Sequence, residues 1–406
     1  MIYDKMTIDD VELTGKKVLT RLDLNVPIQD GEVADDERIV RALPTIKKIV
    51  DDGAVAILCS HLGRPKGQRI DSLSLKPVAQ RISEHIGQEV KFLDDCIGSE
   101  VEQAIDSAIG GDIILLENLR FHAGEKKKDE AFTKALASLG EVYVNDAFGT
   151  AHRDHASNVG VSAIIKPSVA GYLMLDELRT FHNILENPKR PFISIIGGLK
   201  VSSKTAVIEN LLPKVDKLLL GGGLIFTFYN ALGLSTGKSY VEKDLITRAG
   251  GLLSMSEEDA LEAGDSEGKI VLPLDVLVTD DIDSPSKIET VPYEEIPDKM
   301  IGVDIGKSTA ELFASVIQSA GTVILTGPMG IFEKEEYSRG TRIILDAMVA
   351  ATERGGITAV GGGDSVSAAK KLIDPDKLTH ISTGGGASLQ VIEGKPLPAV
   401  EALTDR

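Results

Sequence analysis

Short apolar runs rich in Val, Ile and Leu recur along the whole 406-residue chain, and segments with helical spacing separate them. That alternation marks β-α-β units around a parallel sheet. A strand buried on both faces needs a continuous apolar run, and a parallel return needs a crossover helix. Strands are predicted near 17–22, 54–60, 90–93, 112–117 and 142–146, with helices near 37–50, 76–86, 99–108 and 129–139. In the second half, strands are predicted near 191–196, 217–220, 269–272, 322–326, 357–360 and 379–382. Each half therefore reads as a complete α/β domain, giving two doubly wound parallel-sheet, Rossmann-like domains.

The segment 171–187, GYLMLDELRTFHNILEN, spaces its apolar residues helically, and Pro188 and Pro191 beyond it stop a helix. It is assigned as a hinge helix joining an N-terminal domain, 1–170, to a C-terminal domain, 188–390. Residues 391–406 form a tail expected to pack back on the N-terminal domain. A helix is a stiffer connector than a Gly/Ser linker, so the halves are expected to move as bodies about its ends.

Acidic residues outnumber basic ones 62 to 44, a net charge of −18 that disfavours a nucleic-acid partner. Two cysteines, Cys59 and Cys96, are too few for a disulfide framework or a four-thiolate metal site, so a reducing cytoplasm is expected. The acidic start MIYDKMTIDDVELTG is unlike a signal peptide, and the apolar stretch 218–234 is broken by glycines and polar residues. No membrane association is expected.

Ligands of open parallel sheets bind beyond the carboxyl ends of the strands, and there the two halves differ. The first half ends its strands in polar clusters: Arg21, Asp23 and Asn25; His61 and Arg64; Asn118 and Arg120; Asn145 and Asp146, followed by His152, Arg153 and His155. Arginine forks suit a small phosphate or carboxylate, and Arg21, Arg64, Arg120 and Arg153 are expected to converge on one basin. For any one of them alone, solvated loop charge or local ion pairing is the stronger reading; the repetition carries the inference. The histidines fit hydrogen bonding to an anion better than zinc, since no compact acidic or thiolate set accompanies them.

The second half ends its strands in glycines: Gly197–Gly198, Gly221–Gly223, Gly327 and Gly330, Gly361–Gly363, and Gly384–Gly386. Bare backbone at helix starts favours phosphate, hence a nucleotide. Asp364, after a triple glycine, is a candidate Mg²⁺ ligand, with Ser365 capping the helix; a plain N-terminal cap is the alternative. Lys200 and Lys204, four residues apart, are expected on one face of a helix start. The sequence GVDIGKST at 302–309 has one residue too few between its glycines for a Walker motif, and no G-x-G-x-x-G follows a first strand.

Taken together, RLDLN, SHLGRP, ENLRFH, NDAFGTAHRDHAS, IIGGLKVSSK, LLLGGG, GVDIG, GPMGIFE, AVGGGDS and HISTGGGASL resemble, in order and nearly end to end, the phosphoglycerate kinase family. The resemblance implies an active site in the cleft between the domains. The 3-phosphoglycerate side would comprise Asp23, Leu24, Asn25, Arg38, His61, Leu62, Gly63, Arg64, Arg120 and Arg153. The nucleotide side would comprise Gly198, Lys204, Gly222, Gly223, Glu333 (ribose), Gly362, Gly363, Asp364 and Ser365, with Asp364 as the metal ligand. Arg38 and Lys200 would be the catalytic pair. Thr326, Leu199 and Gln390 depart from commoner residues of the family, the first two beside the nucleotide pocket. The implied reaction is Mg²⁺-dependent, reversible phosphoryl transfer between 1,3-bisphosphoglycerate plus ADP and 3-phosphoglycerate plus ATP, after hinge closure, by a monomer or alternatively a dimer. A non-enzymatic two-domain protein closing over a small anion is the competing expectation.

Overall fold

The computed structural model describes residues 5–262 and 268–406. The chain divides into two compact units, Met1–Arg179 with Pro396–Arg406, and Thr180–Lys395. In the first unit β1 (Lys17–Leu22) precedes a small hairpin, β2 (Ile28–Gln29) and β3 (Glu32–Val33). There follow β4 (Val55–Cys59), β5 (Val90–Leu93), β6 (Ile113–Leu116), β7 (Val142–Asp146) and β8 (Ser168–Ala170). The second unit holds β9 (Phe192–Ile196), β10 (Lys217–Leu220), β11 (Ile270–Val271), β12 (Asp275–Thr279), β13 (Ile288–Pro292) and β14 (Ile301–Ile305). It ends with β15 (Thr322–Thr326), β16 (Ile357–Val360) and β17 (His380–Ile381).

Each unit is built on a six-stranded sheet, ordered β5-β6-β4-β1-β7-β8 and β11-β10-β9-β15-β16-β17. Every pairing in both sheets is parallel. The second is the doubly wound order 3-2-1-4-5-6 when its strands are counted in sequence, and its direction of growth reverses between β9 and β15. In the first unit it reverses at β1. The central strands are fully buried, as in VAILC of β4 and FISII of β9, so both sheet faces need helix cover. The helix Glu37–Asp51 supplies it with Ile39, Ala42, Leu43, Ile46 and Ile49 on one face. The helix Lys76–Ile86 opens with a proline in its first turn and stops at Gly87, whose φ of 73° ends the spiral.

The strands predicted from apolar runs agree with the structure to within one residue at each end, and the named helices to within two. Three features escaped that reading. The hairpin β2–β3 turns at Asp30–Gly31, both at positive φ, and the Asp-Gly pair was its available signal. Strand β8 spans three residues, too few to show a period. The antiparallel sheet β13-β12-β14 is mixed in burial, its strand Ile288–Pro292 alternating between half-buried and exposed.

The helix Tyr172–Glu186 starts against the end of β7. Asp146 Oδ1 accepts from Met174 N at 3.0 Å, and Thr45 Oγ1 accepts from Tyr172 N at 3.0 Å. Residues near the C-terminus pack in the first unit, where Thr404 N donates to Ser168 O and Ala399 N to Ala151 O. No helix among the described residues is long and apolar enough to cross a membrane.

Candidate functional site

In the first unit the candidate side chains stand on the loops after β1, β4, β6 and β7, apart from Arg38 on the helix Glu37–Asp51, and a few buried hydrogen bonds fix those loops. Gly63, at φ 62°, links two of them: its N–H donates to Asn25 Oδ1 at 2.9 Å and its carbonyl accepts from Arg120 Nη1 at 2.7 Å. Asn118, fully buried, accepts from Leu62 N and Arg120 N and donates to Leu62 O and Leu73 O. Arg38 Nη1 lies 2.5 Å from Asp23 Oδ2, while Asp23 Oδ1 is buried without a partner.

A cavity of about 650 Å³ opens here, lined by Arg64, Arg120, Arg153, Lys66, Lys126 and Lys127, with His122 and His155. Burial and the neighbouring Arg153 and Arg21 push Arg120 down to about 10, and its buried Nε has no acceptor. Burial and surrounding guanidinium groups likewise hold His61 well below the usual imidazole value and bring His155 to about 4. A guanidinium donor lacking an acceptor, beside imidazoles held below their usual pKa, is an arrangement that suits a small polyanion.

Arg21 does not join this basin. It is 1% exposed, and its guanidinium turns inward to Ser157 Oγ, Leu22 O and His61 Nδ1. A residue on a strand buried on both faces points into the protein, unlike one on the loop beyond it. Leu24 and Leu62 also bury their side chains in the apolar core. Lys66, Lys126 and Lys127 were missed, although the run EKKK after ENLRFHAG was a legible basic cluster.

In the second unit the glycine loops after β9, β10 and β15 lie backbone against backbone. Gly197 N donates to Thr326 O, Gly198 N to Pro328 O and Gly222 N to Met329 O, at 3.0–3.1 Å. A cavity of about 330 Å³ is lined by Gly198, Leu199, Lys200, Lys204, Gly327 and the helix-start residues Gly362 to Ser365. The two lysines do not share a helix face. Lys200 is extended before the 3₁₀ turn Val201–Ser203, and Lys204 caps the helix Thr205–Leu211, yet both reach the same cavity. Lys204 is 8% exposed, and burial lowers its ammonium pKa, opposed by Asp364 and Glu393.

Ser365 is not the cap expected. Gly362, at φ 94°, precedes the helix Gly363–Leu372, and Ser365 Oγ accepts instead from Gly327 N, tying this helix to the β15 loop. Asp364 is exposed in the first turn, its carboxylate at the positive end of the helix. Gly222, Gly223 and Glu333 lie outside the cavity lining; Gly222 packs on Gly198, and the exposed Glu333 accepts Lys371 Nζ on its carbonyl at 2.7 Å. Among the residues that depart from the family pattern, Leu199 lines the cavity at 56% exposure, and Thr326 is buried with an unpartnered hydroxyl.

The motif GVDIG belongs to β14 and buries Asp304 against Gly330 and Gly340, where its carboxylate accepts from Ile305 N and Gly340 N. Burial raises it from 3.8 to about 7. A raised carboxylate contributes stability fully below its unfolded pKa and loses it as pH rises through the folded one. Between pH 5 and pH 8 the wild-type chain should therefore lose on the order of 2–3 kcal/mol relative to Asp304→Asn. Urea midpoints at both pH values check this; a constant any amide penalty adds cancels in the difference, and a pH-independent gap contradicts it.

A family model described as phosphoglycerate kinase matches residues 8–395. The phosphoglycerate kinase of Gloeothece citriformis is 50% identical over 397 residues, covering 98% of this chain and 97% of that protein. That of Thermosipho africanus is 46% identical over 404 residues, covering 99% and 98%. Among solved structures, phosphoglycerate kinase from Coxiella burnetii aligns with a TM-score of 0.87 at 37% identity, covering 98% of each chain. The Pyrococcus horikoshii OT3 enzyme aligns at 0.81 and 30% identity, again covering 98% of each.

Proposed function

Because the chain belongs to the phosphoglycerate kinase family, we propose that Arg38 and Lys200 supply the charge stabilisation for that family's reaction, with one substrate held by each unit. The enzyme is a phosphotransferase of glycolysis, acting on small molecules with ATP/ADP as co-substrate. It transfers a phosphoryl group reversibly between ATP and the carboxylate of 3-phosphoglycerate.

The observation that carries the assignment of sites is a buried cation in each unit: Arg120, whose Nε has no acceptor among the described residues, in the first, and Lys204, 8% exposed at the cavity wall, in the second. An anion entering either place supplies an acceptor. Arg64, Arg120 and Arg153 take the 3-phosphoglycerate anion, and Asn25 and Gly63 hold the loops that present them. The amides at the start of the helix Gly363–Leu372 and the Lys204 ammonium take the nucleotide phosphates, and Glu333 the ribose. One exposed carboxylate beside phosphate-binding amides fits Mg²⁺, which prefers one or two carboxylates plus phosphate oxygens and water, so Asp364 would hold it. Held there, Mg²⁺ would supply neutralisation of charge on the phosphate oxygens.

The nucleophile is a carboxylate, already ionised near neutrality, so no side chain need remove a proton. What remains is alignment and neutralisation. Arg38, oriented by Asp23, and Lys200, exposed at the cavity rim, are the groups for that task. The buried free thiols Cys59 and Cys96 support a cytoplasmic setting.

A coupled assay should show ATP consumed only when 3-phosphoglycerate is present; ATP turnover without it would favour another reaction. Transfer also requires the two ligands to meet. Small-angle scattering should then give a smaller radius of gyration with both ligands than with either alone, and an equal radius in all states contradicts closure.

A further inference from the structure

We propose that Arg21 is a positioning residue that fixes His61 in the neutral form protonated on Nε2, so that His61 offers the substrate an N–H donor and not an acceptor. The proposal rests on the assignment of His61 to the 3-phosphoglycerate site.

The argument is one of hydrogen-bond polarity along a buried relay within the first unit. Arg21 Nη2 lies 3.0 Å from His61 Nδ1, and Arg21 Nε donates to Ser157 Oγ at 2.9 Å. A guanidinium has donors only and is not deprotonated in proteins, so both contacts run outward from Arg21. His61 Nδ1 must accept, which leaves the ring's proton on Nε2. Ser157 Oγ, already accepting from Arg21, turns its own proton to Glu125 Oε1 at 2.7 Å, and Glu125 also accepts from Ser157 N at 3.0 Å. Arg21, Ser157 and Glu125 are all essentially inaccessible to solvent, so water cannot substitute for any link.

The alternative proton arrangement has no partner. The carboxylate oxygen Asp23 Oδ1 is 4.0 Å from Nδ1, beyond hydrogen-bond reach. Arg21, Arg120, Arg153 and Arg38 act on the ring against the carboxylate of Asp23, so the balance of charge opposes a second ring proton. The His61 ring makes no other hydrogen bond among the described residues, and Nε2 is not sealed from solvent, which leaves it for a ligand oxygen. A donor there suits an acid whose carboxylate and phosphate are acceptors. An Nδ1-protonated ring would instead aim a lone pair at those oxygens and leave a guanidinium proton facing an N–H.

The test is nitrogen NMR on the full chain labelled with ¹⁵N-histidine, at pH 7, with His61 assigned by the signals lost in His61→Gln. The expected result is an unprotonated Nδ1 and a protonated Nε2, with or without 3-phosphoglycerate. A wild-type His61 protonated on Nδ1, or on both nitrogens, overturns the proposal and needs no variant to fold. In Arg21→Met, checked for folding by circular dichroism, the Nε2 preference should be lost. KM for 3-phosphoglycerate should then rise roughly tenfold with kcat changed by less than about threefold, and Arg21→Lys should recover part of the loss. Retention of the wild-type tautomer in Arg21→Met overturns the role of Arg21. If His61→Gln leaves KM for 3-phosphoglycerate unchanged, the placement of His61 in the site fails, whatever its tautomer.

Discussion

Replacing Lys200 by alanine should lower kcat by roughly 10²–10³-fold while changing KM for either substrate by only a few-fold. The transferring phosphoryl spreads charge over its equatorial oxygens as the bonds to both neighbours loosen, and a preorganised cation stabilises that charge more than it stabilises either ground state. Lys200 fits the description. It is exposed at the rim of the nucleotide cavity, and its extended backbone keeps it outside the helix that follows. Lys204 is buried beneath the same cavity, so its loss should fall on nucleotide affinity instead. Arg38→Ala should match Lys200→Ala in kcat, but it also leaves Asp23 buried and unpaired in a site for an anion, so KM for 3-phosphoglycerate should rise with it. Steady-state kinetics on both variants give the answer. A Lys200 variant that loses affinity and turnover in equal measure, or loses only affinity, removes it from the chemical step. With no general base in the scheme, wild-type kcat should also stay flat between about pH 6 and pH 9, and a bell-shaped profile would require a titrating group not invoked here.

Gly327→Ala should weaken nucleotide binding by roughly a hundredfold or more and leave 3-phosphoglycerate binding intact. Gly327 adopts φ 100°, a region costly for any residue with a side chain, and a Cβ there would fall 2.3 Å from the carbonyl oxygen of Gly197 and 2.5 Å from its carbon. Both clashing atoms are backbone, in the loop that leads to Lys200, so relief requires the β9 and β15 loops to part. Parting them breaks Gly197 N to Thr326 O and pulls Gly327 N from Ser365 Oγ, which detaches the helix whose first turn carries Asp364. Backbone strain of ~1–2 kcal/mol plus the displaced loop predicts an ADP affinity reduced by roughly a hundredfold or more. Calorimetric titration of each ligand separates the outcomes. Unchanged ADP affinity would mean the glycine lacing does not shape the nucleotide site, and parallel loss of 3-phosphoglycerate binding would mean general unfolding.

Much of this was legible without coordinates. Continuous apolar runs separated by helical spacing identified the strands of both large sheets apart from β8, most plainly the central ones, where burial on both faces demands an unbroken apolar run. The contrast between polar strand ends in the first half and glycine strand ends in the second was equally plain. It anticipated the loops after β4, β6 and β7 that line the first cavity and those after β9, β15 and β16 that line the second, but not that the loops after β1, β10 and β17 stay out of both linings.

Direction was not legible. Arg21 and Arg64 both stand at or just past the end of a strand, yet one is buried to hold His61 and the other lines the basin, because the partner that captures Arg21 is Ser157, 136 residues further on. Ser365 reads as a helix cap and serves as a tie to Gly327; Lys200 and Lys204 read as one helix face and occupy two different turns. Local spacing reports which positions are apolar and where chain direction must change. Where a polar side chain points depends on which distant donor or acceptor the fold brings within hydrogen-bond reach, and no period in the sequence encodes that distance.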